Sequence, residues 1–164
     1  MVVQKVLFDE YECDEILSLY KNNHKNWFMH DRKYNSYEIF REMKNDFFFE
    51  KLKLFFEDKT TYTLINFESI YFHLFEKGDF FSVHNDKKNE RVFGLGVLLN
   101  QNFIGGDFKF YLNEEFKIDK IAGNAYFFDV NHMHEITKIT EGVRFSLLSF
   151  IHTYDLYKKP DKIF

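Results

Sequence analysis

The chain has 164 residues, a net charge of −4 and 45% hydrophobic residues, which is enough for one folded domain with its own core. The acidic balance argues against a broad phosphate-binding surface, which needs a basic face, and leaves a local basic groove open. The single cysteine, Cys13, excludes an internal disulfide and a cysteine-rich zinc site, and is typical of a reducing compartment. No apolar leader opens the chain and no apolar run approaches a membrane span. We therefore expect a cytoplasmic protein, or one of the host cytoplasm if the source is a virus.

The N-terminus predicts a strand followed by a helix. Residues Val2–Phe8 favour a short strand. Asp9 and Glu12 are spaced as a capping box, which places a helix N-terminus there. The polar stretch 24–35 that follows is predicted to be a loop.

Two further helices are predicted before residue 60. Ser36 is a suitable N-cap for a helix that ends near Met43, and Asp46 is a suitable N-cap for a helix that reaches about Phe56. The second of these helices has an apolar stripe at i, i+4, i+7 and i+8, which predicts that one face packs on a sheet. The residues of the stripe are Phe48, Leu52, Phe55 and Phe56.

From Thr60 onwards the pattern is that of short strands separated by turn residues. The predicted strands are Thr61–Phe67, Ser69–Phe75, Phe80–Asn85, Arg91–Leu99, Asp107–Leu112, Ala125–Phe128, Glu135–Ile139 and Arg144–His152. Strands at this spacing predict an all-β sandwich or a jelly roll. With the helices before them they give an α+β fold in a single domain, 1–164. We expect a helical buttress over about 1–59, a jelly-roll core over about 60–152 and a loosely packed tail over 153–164.

A pair of metal-ligating side chains lies at the end of one predicted strand. His84 and Asp86 are two residues apart, so their side chains point to the same face of a strand. Two histidines and one carboxylate on one side of a metal form the facial triad of non-heme Fe(II) oxygenases. The second histidine has to come from another strand, and both His132 and His134 qualify.

A predicted strand near the C-terminus carries a charge on an apolar face. Arg144 and Ser146 point the same way, and Leu148 and Phe150 continue that face. An arginine among apolar side chains needs an anionic partner, because burial of an unpaired charge is costly. The partner is either a dicarboxylate cosubstrate, which a planar guanidinium binds well, or an Asp or Glu of the chain itself.

Four stretches, taken together, resemble the 2-oxoglutarate/Fe(II)-dependent dioxygenase superfamily, and within it the prolyl 4-hydroxylase-like group of microbial and viral type. GDFFSVHND is similar to the family's G-x-x-F/Y-x-x-H-x-D, and FGLGVLLNQNFIGGDFKFY to its strand, Leu-Asn turn and Gly-Gly-acidic strand. IAGNAYFFD resembles its glycine turn into an apolar strand, and HEITKITEGVRFSLLSFIH its H-x-V and R-x-S ending. All four occur in the family's order, from about Tyr71 to His152.

The resemblance implies that the jelly-roll core is a double-stranded β-helix, and it implies roles for particular residues. It implies His84, Asp86 and His134 as metal ligands, since His134 begins the H-x-V match, and it leaves His132 at the rim. It implies Arg144 and Ser146 as the residues that bind 2-oxoglutarate. No catalytic residue beyond the metal ligands is expected, because the cofactor carries the chemistry.

The resemblance also leaves one contact with the cosubstrate open. In the family, a residue on the strand before H-x-D, often Tyr, touches 2-oxoglutarate. Here Tyr71 and His73 share the relevant face of that strand, and His73 is the closer match in position.

The implied cofactors are Fe(II), 2-oxoglutarate as cosubstrate and O2, and the resemblance allows ascorbate in addition. The implied reaction is hydroxylation of a peptidyl, prolyl-like residue. Collagen-type prolyl 4-hydroxylases usually have Lys where this chain has Arg144, which favours other peptidyl hydroxylases and the microbial and viral members. Nucleic-acid demethylases carry a second arginine at the place of Phe150, so a nucleic-acid partner is not expected.

Other functions stay open on the sequence alone. A free amino acid or another small metabolite is an alternative substrate. A cupin-like jelly roll that binds a metal or a sugar without oxygenase activity is a different class, which Arg144 and Ser146 disfavour because a plain metal binder needs no dicarboxylate anchor. A structural β-domain of a viral particle is a third class.

Overall fold

The computed structural model describes residues 1–23, 35–39, 46–65 and 70–160. These contain two α-helices, α1 (Glu10–Asn23) and α2 (Asp46–Lys59), and one turn of 3-10 helix, Thr153–Asp155. The strands in chain order are β1 (Val2–Val6), β2 (Asn35–Ile39), β3 (Tyr62–Leu64), β4 (Ile70–Phe75), β5 (Phe81–His84), β6 (Arg91–Leu98), β7 (Phe103–Gly105), β8 (Phe108–Tyr111), β9 (Glu115–Lys117), β10 (Asn124–Asp129), β11 (Met133–Ile136), β12 (Ile139–Gly142), β13 (Arg144–His152) and β14 (Leu156–Lys158). Neither described helix has the length and apolarity needed to cross a membrane.

Two antiparallel sheets pack face to face. The larger has six strands in the order β1-β10-β6-β13-β4-β2, and the smaller has four in the order β5-β11-β8-β9. Two short pairs, β12 with β7 and β14 with β3, complete the described strands. The prediction of an α+β fold with a jelly-roll core supported by N-terminal helices is confirmed.

The alternation of side chains along the larger sheet divides the apolar residues between two cores. On β10, Ala125 and Phe127 belong to the core between the sheet and the helices. Tyr126 and Phe128, the residues between and after them, belong to the core between the two sheets. The apolar run that the sequence shows in this strand therefore reflects burial on both faces.

Helix α2 covers the outer face of the larger sheet through its predicted stripe, and all four residues of the stripe are buried. Phe56 is completely buried, and its ring centroid lies 5.1 Å from that of Phe127 and 5.3 Å from that of Phe93. The helix therefore packs on one face of the central strands of the larger sheet. The opposite face of these strands is left for a site.

The predicted capping box at the start of α1 is present. The backbone N–H of Glu12 donates to Oδ1 of Asp9 at 2.8 Å, and the backbone N–H of Asp9 donates to Oε2 of Glu12 at 2.9 Å. Two N–H groups at the helix end thereby gain partners.

The prediction of a helix that begins at Ser36 is wrong over the described residues. Residues Asn35–Ile39 form the edge strand β2, which pairs antiparallel with β4, Tyr37 opposite Phe72. Pairing supplies the ladder hydrogen bonds that the edge of β4 would otherwise lack. The remainder of this predicted helix and the loop predicted over 24–35, except for Asn35, lie outside the described residues.

The tail predicted to be loosely packed is ordered as far as Lys158. Strand β14 pairs with β3, and Asp155 is buried, where its Oδ2 accepts the backbone N–H of His152 at 2.9 Å. A strand was not predicted here, because a segment of three residues is too short to show a periodic pattern in the sequence.

Several strand limits also differ from the prediction. The strand predicted over Glu135–Ile139 is divided into β11 and β12, and β7, β9 and β14 were not predicted. A turn at Gly105 and Gly106 precedes β8, with φ of +75° and +63°. A Cβ at Gly105 would lie 2.0 Å from the carbonyl oxygen of Lys138, so this approach of two backbones requires glycine.

Candidate active site

The smaller sheet brings three potential metal ligands together. His84 on β5 is the register partner of His134 on β11, and Asp86 follows β5 by two residues. Nε2 of His134 lies 3.2 Å from Oδ2 of Asp86, and Nε2 of His84 lies 3.5 Å from its Oδ1. One ligand atom from each residue falls within 4.8 Å of the others, so the group can hold a metal ion.

Backbone carbonyls orient both imidazoles. Nδ1 of His84 lies 2.6 Å from the carbonyl oxygen of Ser82, and Nδ1 of His134 lies 2.9 Å from that of His132. Donation from Nδ1 leaves Nε2 of each ring available to a metal, and fixes the direction of the ring. Of the two histidines that the spacing left open, the structure brings His134 to the cluster. The side chain of His132 instead lies 2.5 Å from the N-terminal nitrogen of Met1.

Aromatic rings surround the buried histidine. His134 is 3% exposed, and the ring centroids of Phe108, Phe110 and Phe128 lie 5.3, 5.3 and 5.0 Å from its own. His84 is more open, and its ring centroid lies 3.7 Å from that of Phe81. The site is therefore closed around one histidine and accessible beside the other.

The electrostatics of the cluster favour an ionised carboxylate. Burial alone would raise the pKa of Asp86, but its hydrogen bonds to His134 and His84 outweigh burial and lower that pKa below its usual range. The backbone N–H of Asp86 is also bonded to the carbonyl of Val130 at 3.0 Å, which fixes the residue between the two histidines.

Arg144 is a buried cation beside this cluster. It is 2% exposed, and its Nη1 donates to Oγ of Ser146 at 2.7 Å. Its Nε has no hydrogen-bond partner. No carboxylate of the described residues forms an ion pair with it, so the salt bridge that the sequence left open is not found in this part of the chain.

Tyr126 is a neighbour of Arg144 that sequence reasoning missed. Burial raises the pKa of Tyr126, and a hydrogen bond and the charge of Arg144 oppose that rise. Burial lowers the pKa of Arg144, and its interaction with Tyr126 opposes that decrease. The Tyr126 ring lies over Gly96, where a Cβ would come within 2.6 Å of the tyrosine oxygen. One signal in the sequence could have identified Tyr126. It is a lone tyrosine in an apolar strand, and it lies opposite a glycine of the neighbouring strand.

One cavity of about 490 Å³ lies beside the potential metal ligands. Its wall includes His84, Asp86 and His134 together with the two hydroxyl neighbours of Arg144, Tyr126 and Ser146. Tyr71 and His73, the two candidates on β4 for a contact with the cosubstrate, line it as well. The prediction that Tyr71 and His73 share one face of β4 is thus confirmed.

Other acidic and histidine side chains lie away from the cluster. Oδ1 of Asp107 pairs with Nζ of Lys120 at 2.7 Å. His152 pairs with Asp155 at 3.3 Å. His24 and His30 lie outside the described residues.

The residues present fit Fe(II) and 2-oxoglutarate. Two imidazole nitrogens and one carboxylate supply a facial set that leaves other coordination positions open. The unpartnered Nε of buried Arg144 fits an anion, since a desolvated guanidinium without a counterion is costly. The jelly roll and this donor set together define the class of non-heme Fe(II) oxygenases.

The family follows from comparison with known proteins. Residues 70–152, just over half of the chain, match the model of the 2OG-Fe(II) oxygenase superfamily. The chain belongs to this superfamily, and it is a 2-oxoglutarate-dependent Fe(II) dioxygenase that uses O2. This result overrides the cupin-like and purely structural alternatives. A sequence search of curated proteins returned no match.

Solved prolyl hydroxylases have a similar fold. A Pseudomonas putida prolyl-4-hydroxylase is 17% identical, with a TM-score of 0.75, and the match covers 92% of each chain. The viral collagen prolyl hydroxylase of Paramecium bursaria Chlorella virus-1, solved with 2-oxoglutarate, is 17% identical with a TM-score of 0.71, covering 92% of this chain and 94% of that one. A Trichoplax adhaerens prolyl hydroxylase, solved with a peptide of hypoxia inducible factor, is 15% identical with a TM-score of 0.71, covering 94% and 84%.

Proposed function

We propose that this dioxygenase hydroxylates a peptidyl, prolyl-like residue at an Fe(II) centre held by His84, Asp86 and His134. With Fe(II) bound, the family's chemistry couples hydroxylation of a substrate C–H bond by O2 to decarboxylation of 2-oxoglutarate, which leaves succinate and CO2. The residues of the chain orient the metal, bind the cosubstrate and keep water from the buried side of the cavity.

The observation that carries this proposal is a histidine–aspartate–histidine cluster in the same cavity as Ser146, which accepts a hydrogen bond from the buried and uncompensated Arg144. Arg144 would bind the distal carboxylate of 2-oxoglutarate. Ser146 accepts a hydrogen bond from Arg144, so its own hydroxyl proton is free to point at the same carboxylate. The hydroxyl of Tyr126 also interacts with Arg144 and would be a further donor. Hydrogen bonds to charged groups contribute about 1.5–3 kcal/mol each.

A peptide is the substrate that the comparisons favour. The three similar structures named above are prolyl hydroxylases, and one was solved with a peptide. The cavity has the volume of a small-molecule site, so 2-oxoglutarate and one substrate side chain fill it and a longer substrate extends past its mouth.

We also propose that 1–164 acts as one domain. The core beneath the helices and the site lie on opposite faces of the same sheet. On β10, Phe127 packs in the core beneath the helices, and its neighbour Tyr126 packs on the face of the site. Separation of the helices from the jelly roll would expose the outer face of that sheet to water.

A reducing compartment, the cytoplasm, is the proposed location. Cys13 is buried at 1% exposure, and burial, with nearby acidic side chains, raises the pKa of its thiol to about 11. A protonated, inaccessible thiol does not form disulfides, and the described chain has no other cysteine to pair with.

Succinate formation tests the proposed function. The metal-stripped protein is loaded anaerobically with Fe(II) and 2-oxoglutarate, O2 is added, and succinate is measured with and without proline-containing peptides. We expect succinate from the wild type, none from Asp86→Ala, and recovery in Arg144→Ala only at high 2-oxoglutarate. A peptide substrate is expected to stimulate succinate and to gain 16 Da. Succinate that is stimulated by free amino acids and by no peptide would transfer the activity to a small molecule, and absence of succinate under all conditions would contradict the proposal.

A further inference from the structure

Three basic residues line the mouth of the cavity next to the metal ligands. Lys87, Lys88 and Arg91 follow Asp86 within a few residues, and all three belong to the cavity wall. Asp86 is the one carboxylate among the described residues of that wall. Once Asp86 binds a metal, the mouth therefore presents cations without acidic residues beside them.

Arg91 is held in place by an aromatic ring. Its guanidinium carbon lies 3.7 Å from the ring centroid of Phe150, which also lines the cavity. Stacking uses the flat face of a guanidinium and leaves the N–H donors at its edge available to a carboxylate. No described carboxylate pairs with Arg91.

The acidic residues closest to Arg91 in sequence or across the sheet are engaged by other groups. Oε2 of Glu90 accepts the hydroxyl of Thr153 at 2.7 Å. Oδ2 of Asp155 accepts the backbone N–H of His152, which is the register partner of Arg91 on β13.

The loop that carries the lysines is tightly turned. The side-chain oxygen of Asn85 accepts the backbone N–H of Lys87 at 3.3 Å, and the carbonyl of Lys88 accepts that of Arg91 at 3.0 Å. Asn89 has a φ of +44°, a left-handed conformation that asparagine tolerates better than most residues. The backbone that carries Lys87 and Lys88 is thus held close to the potential metal ligands His84 and Asp86.

The charge of the mouth is opposite to that of the whole chain, which is −4. A local basic rim on an acidic protein attracts anionic groups to that rim and repels them elsewhere. A nucleic acid would need a wider basic face than these residues give. A short segment of peptide with acidic side chains fits both observations.

Building on the proposed function, we propose that the substrate is an acidic peptide. A carboxylate of Asp or Glu within a few residues of the hydroxylated position pairs with Arg91, and Lys87 and Lys88 favour further negative charge next to it. These residues contribute to substrate selection and leave the binding of 2-oxoglutarate to Arg144, Ser146 and Tyr126.

The test uses three pools of fluorescein-labelled peptides with a central proline. The two positions on each side are drawn from Asp and Glu, from Asn and Gln, or from Lys and Arg. Binding to the protein loaded anaerobically with Fe(II) and 2-oxoglutarate is measured by fluorescence anisotropy. The variants are Arg91→Gln and the double change Lys87→Gln with Lys88→Gln, and the control is Lys158→Gln, an exposed lysine of β14 outside the cavity.

We expect the acidic pool to bind the wild type about tenfold more tightly than the neutral pool, equivalent to about 1.4 kcal/mol. Arg91→Gln and the double variant should lose most of that preference with little change for the neutral pool, while Lys158→Gln keeps it. Equal binding of the acidic and neutral pools, or binding of none, would overturn the proposal. Tighter binding of a random single-stranded oligonucleotide than of the acidic pool would overturn it too, in favour of a phosphate ligand.

The binding of 2-oxoglutarate by the same preparations separates this proposal from the proposed function. A protein that binds 2-oxoglutarate in an Fe(II)-dependent way but shows no charge preference retains the dioxygenase site and loses only the acidic-peptide inference. A protein that binds no 2-oxoglutarate contradicts the proposed function itself.

Discussion

Arg144 shows how the fold tolerates a charge in its interior. The guanidinium is buried with hydroxyl neighbours, Ser146 and Tyr126, and without a carboxylate in the described part of the chain. Hydroxyls offset part of the desolvation of a cation, but an anion offsets far more. A bound anion would compensate this charge, as the proposed role of Arg144 in binding a dicarboxylate requires.

Tyr126→Phe tests whether the hydroxyl beside Arg144 takes part in binding 2-oxoglutarate. The ring and its packing over Gly96 stay, and one donor is lost. A single hydrogen bond contributes about 1 kcal/mol, so we expect the KM for 2-oxoglutarate to rise about fivefold with a smaller change in kcat. Succinate release at varied 2-oxoglutarate measures both constants.

Tyr157→Phe is the matched control, because Tyr157 is 64% exposed on β14 and lies away from the cavity. It should leave the KM for 2-oxoglutarate unchanged. An unchanged KM in Tyr126→Phe as well would mean that the hydroxyl only supports Arg144 within the protein.

Residue spacing identified some of these groups and not others. His84 and Asp86 are found from the sequence, because two residues apart on a strand means one face. His134 needed the family's motif, since spacing alone could not separate it from His132. Tyr126 was missed because its partner, Arg144, comes from a strand that is not next to β10 in the sheet.

Helix α2 is the element that supports the site from behind. Its buried stripe packs on β6 and β10, whose opposite faces carry Gly96 and Tyr126. Loss of packing at the stripe should therefore lower the stability of the whole fold, since both faces share the same strands.

Phe56→Ala tests this support. Truncation of a fully buried phenylalanine typically costs about 3–5 kcal/mol, from lost burial and the cavity that remains. We expect the free energy of unfolding in urea to fall by that amount. Leu54→Ala, at a position of the same helix that is 63% exposed, should change it by less than about 0.5 kcal/mol. Equal losses for the two variants would contradict the packing described here.

The elements that sequence reasoning misjudged have their partners far away in the chain. Strand β2 forms by pairing with β4, and β14 by pairing with β3. Neither segment has a strong periodic pattern of its own, so local propensity decided the prediction and tertiary pairing decided the structure. Helix α2, with a long apolar stripe and a clear N-cap, was predicted almost to its ends.

In the molecule as a whole, the larger sheet lies between the helices and the smaller sheet. One face packs on the helices, and the other faces the smaller sheet, which carries His84 and His134. The three potential metal ligands share one cavity with Ser146 of the larger sheet, whose hydroxyl accepts a hydrogen bond from Arg144. Binding of 2-oxoglutarate should consequently require both sheets and the metal.

Calorimetric titration of 2-oxoglutarate into the anaerobic, Fe(II)-loaded protein tests this claim most directly. We expect binding to the wild type only when Fe(II) is present. Asp86→Ala should lose the metal-dependent part of the affinity, and Arg144→Gln should weaken binding about 30-fold or more, since truncation of one partner of a buried charge pair costs at least about 2 kcal/mol. Affinity that is the same with and without Fe(II), and the same in Arg144→Gln as in the wild type, would contradict it.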